Sequence, residues 1–270
     1  MKAFRAIGMA VLAALVCVNF VACNIEGGSN NDGDIDHVGN GGIITSGKRL
    51  VKIFAASEGS TDTIVFTYDS EGRVATIVET YTDEEYEGVT SSETYQFVWG
   101  DDAIRVTESS DYSNSVDRYT YTLANGLIQS DNDGRQFAYN KSGKFLKGTS
   151  PSGYITSVLW DGDKLVSVDE GDSVCSLTYN GSVCKAGYFP FASMIIDFGS
   201  ELLFMAHPEL AGMRTTQLPN TMTWAYIDSY SGNTSEEKST LTYEFDKQGY
   251  ITKLVGNSEG YIYTYELTWE

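Results

Sequence analysis

The sequence predicts an all-β protein whose strands form a large curled or half-barrel antiparallel meander of serial hairpins. Three observations support this prediction. Aromatic residues alternate with Thr, Glu and Ser through most of the chain, which is typical of strands with one buried face. A short hairpin pattern with an Asp-x-x-Gly turn recurs along the chain. One segment near residues 190–206 instead has apolar residues at helical spacing, which predicts one helical insert.

The hairpin pattern is clearest over residues 66–77. Phe66 and Tyr68 alternate with a threonine, so both rings point to the same face of a strand. Asp69 suits the first position of a type I turn, because its carboxylate can accept hydrogen bonds from backbone N–H groups two residues on. Gly72 suits the last position, which requires a positive φ. We therefore predict a β-hairpin here, with a left-handed backbone at the glycine.

The same pattern recurs later in the chain. Residues 243–254 match it position by position, and residues 137–145 match it with Asn in place of Asp. Gly249 closes the turn of the first of these copies and is expected to have a positive φ as well. The second aromatic residues of successive copies lie roughly 18–22 residues apart, about the length of two strands and two turns; they are Trp99, Tyr121, Tyr139, Trp160 and Tyr179. This period predicts one long meander of neighbouring strands.

The first 22 residues are predicted to be a lipoprotein signal peptide. Lys2 and Arg5 give a positive start, and residues 6–18 form an apolar run too short for a spanning helix. Residues 20–23, Phe-Val-Ala-Cys, resemble a bacterial lipobox, in which a Cys after a small residue is cleaved at and lipidated; Phe departs from the usual Leu. Cys23 is therefore the predicted lipidation site. The alternative is an ordinary secretory signal with a coincidental cysteine.

Residues 23–47 are predicted to be the lipidated cysteine and a flexible acidic tether. The segment is rich in Gly, Asn and Asp and lacks aromatic residues, so it cannot bury enough apolar surface to fold alone. Lipid on Cys23 would anchor the chain to a membrane, since each buried methylene contributes about 0.8 kcal/mol. Asn24, rather than Asp, follows the cysteine. By resemblance to the lipoprotein sorting rule, this indicates the outer membrane, with the periplasmic or surface face left open.

Residues 48–270 are predicted to form a single antiparallel β domain with a helical insert over residues 190–212. We expect a helix from Pro190 to Ala206 that covers the concave, aromatic-lined face of the sheet. The last strand, residues 261–269, places Tyr, Leu and Trp on one face and polar residues on the other. A polar outer face argues against an integral membrane barrel, whose lipid-facing band must be apolar.

These features resemble a known family. The lipobox, the serial Tyr-Asp-x-x-Gly hairpins and a late helical insert that leads to Gly212 and a Leu-Pro pair at residues 218–219 are similar to bacteroidete cell-envelope lipoproteins of the domain-of-unknown-function 4595 type. The resemblance implies a porin-like β fold and an envelope location. Residues 68–74 also resemble the YD repeat of large secreted toxin shells. The family has no catalytic residues to transfer, so the resemblance implies no active site.

The charge and the residue inventory exclude several classes of function. The net charge of −19 becomes −21 when Lys2 and Arg5 leave with the signal peptide, which excludes nucleic acid as a partner and disfavours polyanionic glycans. Two histidines, His37 and His207, lie far apart in the chain, and we find no zinc motif, phosphate loop or nucleophile elbow. We therefore expect no catalytic, metal or cofactor-binding residues, and a protein that is not an enzyme.

Two pairs of residues are candidates for covalent modification. Cys175 and Cys184 flank an Asn-Gly pair that signals a type I′ hairpin, and in an oxidising envelope compartment they are a candidate disulfide. In a two-residue hairpin they would be diagonal partners about 7–8 Å apart, so a bridge needs a bulge or a wider loop. Thr63 and Ser173 lie in Asp-Thr-Ile and Asp-Ser-Val, which resemble the bacteroidete O-glycosylation sequence.

Two classes of function fit these observations. The first is a non-catalytic binding or scaffold lipoprotein, whose exposed aromatic residues bind a glycan, a lipid or an envelope protein; the candidates are Trp99, Trp160, Trp224 and Trp269. The second is a hydrolase with a carboxylate pair, such as a glycosidase. The first is favoured because Tyr and Trp are plentiful while positioned acid–base partners are not. An open groove with two close, desolvated carboxylates would favour the second.

Overall fold

The computed structural model shows a closed antiparallel β-barrel. It describes residues 43–44, 46–83, 89–196, 201–227 and 234–270. The strands in chain order are β1 Leu50–Ser57, β2 Ser60–Tyr68, β3 Val74–Asp83, β4 Val89–Trp99, β5 Ala103–Ser110, β6 Val116–Ala124, β7 Leu127–Asp131, β8 Gln136–Tyr139, β9 Phe145–Thr149, β10 Ile155–Asp161, β11 Lys164–Asp169, β12 Ser173–Val183, β13 Gln217–Ile227, β14 Thr234–Phe245, β15 Ile251–Ser258 and β16 Tyr261–Trp269.

Each strand pairs with the next strand of the chain, and β16 returns to pair with β1. The closing pair sets Ile53 opposite Leu267. Arg49 and Glu270 exchange two backbone hydrogen bonds, which extend the pairing of β1 with β16 by one residue at the start of β1. The predicted antiparallel meander is confirmed. The sheet closes completely, because the twist accumulated over many neighbouring strands can bring the first and last edges together.

The inner face of the barrel wall is mostly apolar and the outer face mostly polar, with single exposed apolar residues such as Val98, Leu159 and Ile262. In β2, Ile64 and Phe66 point inward and are buried, whereas Thr67 lies on the exposed face. In β16, Tyr263 and Tyr265 are likewise buried. A barrel that faces lipid requires the reverse arrangement, with an apolar outer band. The inward rings form one hydrophobic core, where barrels of this strand number commonly hold a water-filled channel. In the part of the chain that is described, no helix has the length and apolar character needed to cross a membrane.

The insert comprises residues 184–216, between β12 and β13. It contains a 3₁₀ helix, Pro190–Ile195, and the short helix α1, Glu201–Ala206. Ile196 has an extended backbone with φ −127° and ψ 130°, so the predicted single helix is interrupted there; residues 197–200 lie outside the described residues. The rings of the insert reach into the barrel: that of Phe191 lies 4.7 Å from that of Tyr265. The insert therefore fills the interior at one end, as predicted.

The barrel has two distinct ends. The insert rim is the end where even-numbered strands lead into odd-numbered ones; it comprises the turns at residues 69–73, 100–102, 125–126, 140–144, 162–163 and 246–250 together with the insert. The far rim is the opposite end, and its described turns are at residues 58–59, 111–115, 132–135, 150–154, 170–172 and 259–260. The chain enters the barrel at the insert rim.

The repeated hairpin turn has the same hydrogen bonds in its three closest copies. The first residue, Asp or Asn, accepts from the N–H groups two and four positions on through its side-chain oxygen; these residues are Asp69, Asn140 and Asp246. The glycine donates back to the carbonyl of that residue. The positive φ predicted for two of these glycines is confirmed, with 81° at Gly72 and 95° at Gly249.

An aromatic residue near the end of the second strand of a hairpin has a defined structural role. In seven hairpins its ring hydroxyl or indole N–H donates to a backbone carbonyl near the start of the preceding strand. In the hairpin of β13 and β14 this donor is Tyr243, the first aromatic residue of its copy of the pattern. The donor and acceptor pairs are Tyr68 and Leu50, Trp99 and Val74, Tyr139 and Ile128, Trp160 and Phe145, Tyr179 and Leu165, Tyr243 and Pro219, and Trp269 and Ile251. We call this set the aromatic seal. It satisfies carbonyls that the strand pairing leaves over at the insert rim.

The insert satisfies backbone N–H groups at the same rim. Three strand-start residues that receive a ring hydrogen bond at their carbonyl also donate their N–H to the insert. The pairs are Val74 with Nε2 of His207, Ile128 with the carbonyl of Leu210, and Phe145 with the carbonyl of Gly212, at 3.0–3.2 Å. The insert and the aromatic seal thus close the barrel end together.

Candidate functional site

A cleft of about 260 Å³ lies at the far rim, on the barrel side formed by β7 to β10. Its apolar floor comes from Phe137 on β8 and Phe145 on β9, whose ring centroids are 6.4 Å apart. Gly148 lies opposite Phe137 in the strand pairing. A Cβ at this glycine would come within 3.5 Å of the Phe145 ring and 3.7 Å of the Phe137 ring. The glycine therefore lets the two buried rings pack closely against the strand at the base of the cleft. Ile196 of the insert forms part of the lining.

The edge of the cleft is polar and is held in place by a turn. Arg135 pairs with the buried Asp131 through Nε at 2.8 Å and with Asp133 at 3.6 Å. The backbone N–H of Arg135 also donates to the Asp131 carboxylate at 2.9 Å. Tyr154, which is 46% exposed, lies on the opposite turn, and Thr156 adds a hydroxyl. Ring faces combined with a few fixed polar groups are typical of small-molecule sites.

A pair of buried carboxyl groups lies on a different part of the wall. Asp62 on β2 and Glu79 on β3 are 1% and 5% exposed. They are diagonal neighbours, because Asp62 is opposite Tyr81 and Glu79 is opposite Ile64. Neither carboxylate oxygen of Asp62 has a hydrogen-bond partner among the described residues, so its burial is not compensated. Burial raises the pKa of Asp62 to about 6.

This carboxyl pair does not line the cleft, which is built from β7 to β10 and Ile196. The cleft lining contains one carboxylate, Asp133. Glycosidases of the usual type need two carboxylates that flank the bond to be cleaved. The structure thus separates the close, desolvated pair from the cleft in which a substrate could lie.

The four tryptophans do not form a binding surface. Trp224 and Trp269 are each 7% exposed, and Trp99 and Trp160 are half-buried with their indole N–H groups in the aromatic seal. The expectation of an aromatic groove through these residues is therefore corrected. An open sheet would leave its aromatic face accessible, but barrel closure turns that face into the core.

The structure also corrects the candidate disulfide. The Asn-Gly pair does not turn the chain, because β12 continues through it as far as Val183 with an irregular register. Cys175 and Cys184 are both free thiols and are buried. They are nine positions apart along nearly continuous strand, and each residue adds about 3.3 Å, so the sulfurs cannot approach bonding distance. Burial raises the pKa of both thiols, that of Cys184 to about 12.

The remaining predicted residues have different environments. Thr63 lies on the outward face of β2, between Phe54 and Thr80 on the neighbouring strands. Ser173 is 8% exposed, and its hydroxyl donates to Glu170 at 3.3 Å, so the folded barrel does not present it for a glycan. Cys23 lies outside the described residues.

Sequence reasoning missed the cleft residues Phe137, Phe145 and Tyr154 as a group. Two signals pointed toward them. A glycine inside a short strand, Gly148, indicates a place where another group approaches closely. The segment from Asp131 to Arg135 has the spacing of the repeated turn, with a cation directly after the glycine. Which rings those residues would meet depends on the pairing of β8 with β9.

Comparisons with known proteins support the fold. The chain is similar to a porin-like protein from Bacteroides uniformis, with a TM-score of 0.59 and 17% identity over 83% of this chain and 98% of that one. A porin-like protein from Bacteroides vulgatus matches with a TM-score of 0.39 and 9% identity, over 83% and 99% of the two chains. No family model matches the chain, and no curated protein matches it. The likeness to the Bacteroides uniformis protein confirms the porin-like β fold implied by the resemblance.

Proposed function

We propose that this chain is a non-catalytic lipoprotein of the bacterial cell envelope, anchored in the outer membrane through Cys23, whose barrel binds a short neutral saccharide in the far-rim cleft. The polar outer wall supports a barrel that stands in water on a tether rather than in the lipid. Membership of the bacteroidete envelope lipoproteins of the domain-of-unknown-function 4595 type is part of this proposal. It is supported by the lipobox and the repeated turns.

The cleft is the observation that carries the binding function. Tyr154, which is 46% exposed, offers a ring surface for the C–H face of a sugar, and the buried rings of Phe137 and Phe145 form the apolar base beneath it. Arg135 and Thr156 offer polar groups for the sugar hydroxyls. A volume of about 260 Å³ suits one or two sugar rings. A lipid chain would favour an entirely apolar lining, and a protein partner would need a contact of about 1,000 Å² or more. The negative charge of the chain favours a neutral sugar over an acidic one.

Absence of catalysis is supported by the same geometry. The carboxylate at the cleft edge, Asp133, is paired with Arg135. The close carboxyl pair, Asp62 and Glu79, is buried in the wall formed by β2 and β3. A hydrolase would need these two features in one place.

The test is calorimetric titration with cellobiose, maltose, mannobiose and chitobiose. We expect one of them to bind, and Tyr154→Ala to weaken that binding about fivefold or more, since stacking on a ring contributes about 1 kcal/mol or more. Tyr112→Ala is the matched control, because Tyr112 is 80% exposed on another far-rim turn. Release of a reducing sugar during incubation would contradict the non-catalytic role. Failure of every sugar to bind would contradict the saccharide.

A further inference from the structure

We infer that the insert rim contains a second site, independent of the cleft, which binds a small oxyanion of the phosphate class. A cavity of about 40 Å³ lies where three parts of the chain meet. These are the residues just before β1, the barrel residues Tyr68 of the aromatic seal and Tyr250 of the turn at residues 246–250, and the insert around His207. A single water needs about 10–15 Å³, so the cavity has the scale of a few waters or one small anion.

The charges around the cavity favour an anion. Its lining includes three permanent cations, Lys48, Arg49 and Arg214, and one carboxylate, Glu209. Lys48 approaches Asp246 at 3.4 Å, and Arg214 approaches Glu209 at 3.6 Å. Within the described part of the chain, Arg49 has no ion pair at the cavity. The positive charge of the lining therefore exceeds the negative charge.

The two guanidinium groups are positioned by aromatic rings. Arg49 lies over Tyr68 at 4.8 Å, and Arg214 lies over Tyr188 at 4.7 Å. Stacking on a ring holds the planar fork of an arginine and leaves its N–H edge for an oxyanion. The paired N–H groups of such a fork match two oxygens of a phosphate group.

One oxygen of the Glu209 carboxylate, Oε1, is occupied by other partners, while Oε2 faces Arg214 at 3.6 Å. The Val74 N–H donates to Nε2 of His207, so the neutral imidazole carries its proton on Nδ1 and donates it to Glu209 at 3.2 Å. The backbone N–H of Ile44 donates to the same carboxylate oxygen at 3.2 Å. Two hydrogen bonds thus fix the position of the Glu209 carboxylate, whose single charge offsets one of the three cations. Lys48 N–H donates to the Tyr250 hydroxyl at 2.9 Å, so the Tyr250 proton is directed to another acceptor.

An anion here would bridge the entering chain, the barrel and the insert, and would therefore stabilise their assembly. The phosphate group can come from free phosphate or from a lipid headgroup. Two soluble probes separate these sources: inorganic phosphate, and dihexanoylphosphatidylglycerol below its critical micelle concentration. Thermal unfolding of the lipidated protein in detergent is measured against chloride at equal ionic strength.

We expect a rise in the unfolding midpoint of about 3 °C or more with inorganic phosphate. A comparable rise with the phosphatidylglycerol probe assigns the site to a headgroup; a rise with inorganic phosphate alone assigns it to the free ion. The double variant Arg49→Gln, Arg214→Gln should lose the rise, and Arg105→Gln, an exposed arginine on the outer face of β5, should keep it. No rise with either probe, or a rise that persists in the double variant, overturns the inference. Saccharide binding at the cleft is unaffected by either result.

Discussion

The indole N–H of Trp99 donates to the carbonyl oxygen of Val74 at 2.7 Å, while the N–H of the same Val74 donates to His207 of the insert. Both polar groups of a fully buried strand residue are therefore satisfied by side chains. The repeated aromatic residue of the hairpin pattern thus acts as a hydrogen-bond donor that closes the barrel end.

The hydrogen bonds of the aromatic seal predict that removing one ring hydroxyl lowers the free energy of unfolding. Tyr179→Phe keeps the ring and leaves the carbonyl of the buried Leu165 without its 2.7 Å hydrogen bond. We expect a loss of about 1–2 kcal/mol in the free energy of unfolding, measured in urea. Tyr112→Phe, which changes an exposed hydroxyl, should leave it unchanged. Equal effects of the two substitutions would show that the seal does not stabilise the fold.

Substitutions at two glycines distinguish the effect of backbone strain on stability from the effect of packing. Gly249 and Gly260 have φ of 95° and 100°, but a Cβ at Gly249 would lie 2.5 Å from the Cβ of Lys185, whereas one at Gly260 meets nothing within 4 Å. Gly260→Ala should cost about 1 kcal/mol through left-handed strain. Gly249→Ala should cost about 1–3 kcal/mol more, because the insert must shift. Matching urea midpoints for the two variants would contradict this contact.

The buried carboxyl pair predicts a dependence of stability on pH. The folded pKa of Asp62, about 6, lies above its ordinary value of 3.8, so the folded state holds its proton more tightly than the unfolded state. The stabilisation is therefore complete below about pH 4 and is lost as the pH rises through about 6. We expect the free energy of unfolding to be about 1–3 kcal/mol higher at pH 4.5 than at pH 7 from this group alone.

Asp62→Asn should reduce that difference, and Asp117→Asn, at an exposed position on β6, should retain it. The pKa of Glu237 is raised by burial as well, so part of the trend should remain in the first variant. The pKa values of the Asp69 and Asp163 carboxyl groups are lowered. The stability that they contribute is lost only as the pH falls below about 4, outside the range from about pH 4.5 to about pH 7. A wild-type stability that increases from pH 4.5 to pH 7 would refute the raised pKa of Asp62.

The two thiols should be inert in the folded protein. Cys175 and Cys184 are 0% and 6% exposed, and burial raises the pKa of both, which suppresses the reactive thiolate. We expect no maleimide labelling of either under native, non-reducing conditions and full labelling of both after unfolding in guanidinium. Mass spectrometry after unfolding without reductant measures this. A bridged peptide in that experiment would contradict the free thiols.

Anchoring through Cys23 remains a prediction from the sequence. Cys23→Ser should abolish metabolic labelling with palmitate and release the protein from the membrane fraction, because the lipid chains supply the attachment. Cys17→Ser is the matched control, since Val16 precedes that cysteine instead of a small residue. Wild-type protein without label would reject the lipobox.

The local pattern of the chain was enough to predict its hairpins. The Asp-x-x-Gly turns, the positive φ at Gly72 and Gly249 and the inward face of each strand depend on residues that are close in sequence. The same local rule failed at the Asn-Gly pair within β12, where pairing with β13 overrides the turn signal. It also predicted an unbroken helix through Ile196, whereas the backbone of that residue is extended, and no local pattern indicates this.

The sequence by itself determined the fold class, the turns and which side of each strand is apolar, because side chains alternate with a period of two whatever the strand pairs with. Only the tertiary structure decided that β16 returns to β1, and this closure turned the tryptophan face from a groove into a core. The cleft lined by Phe137, the buried carboxyl pair of Asp62 and Glu79 and the cationic cavity at Arg49 likewise depend on which strands become neighbours. That choice reflects the summed twist of the whole sheet and the packing of the insert, which no single segment of the chain encodes.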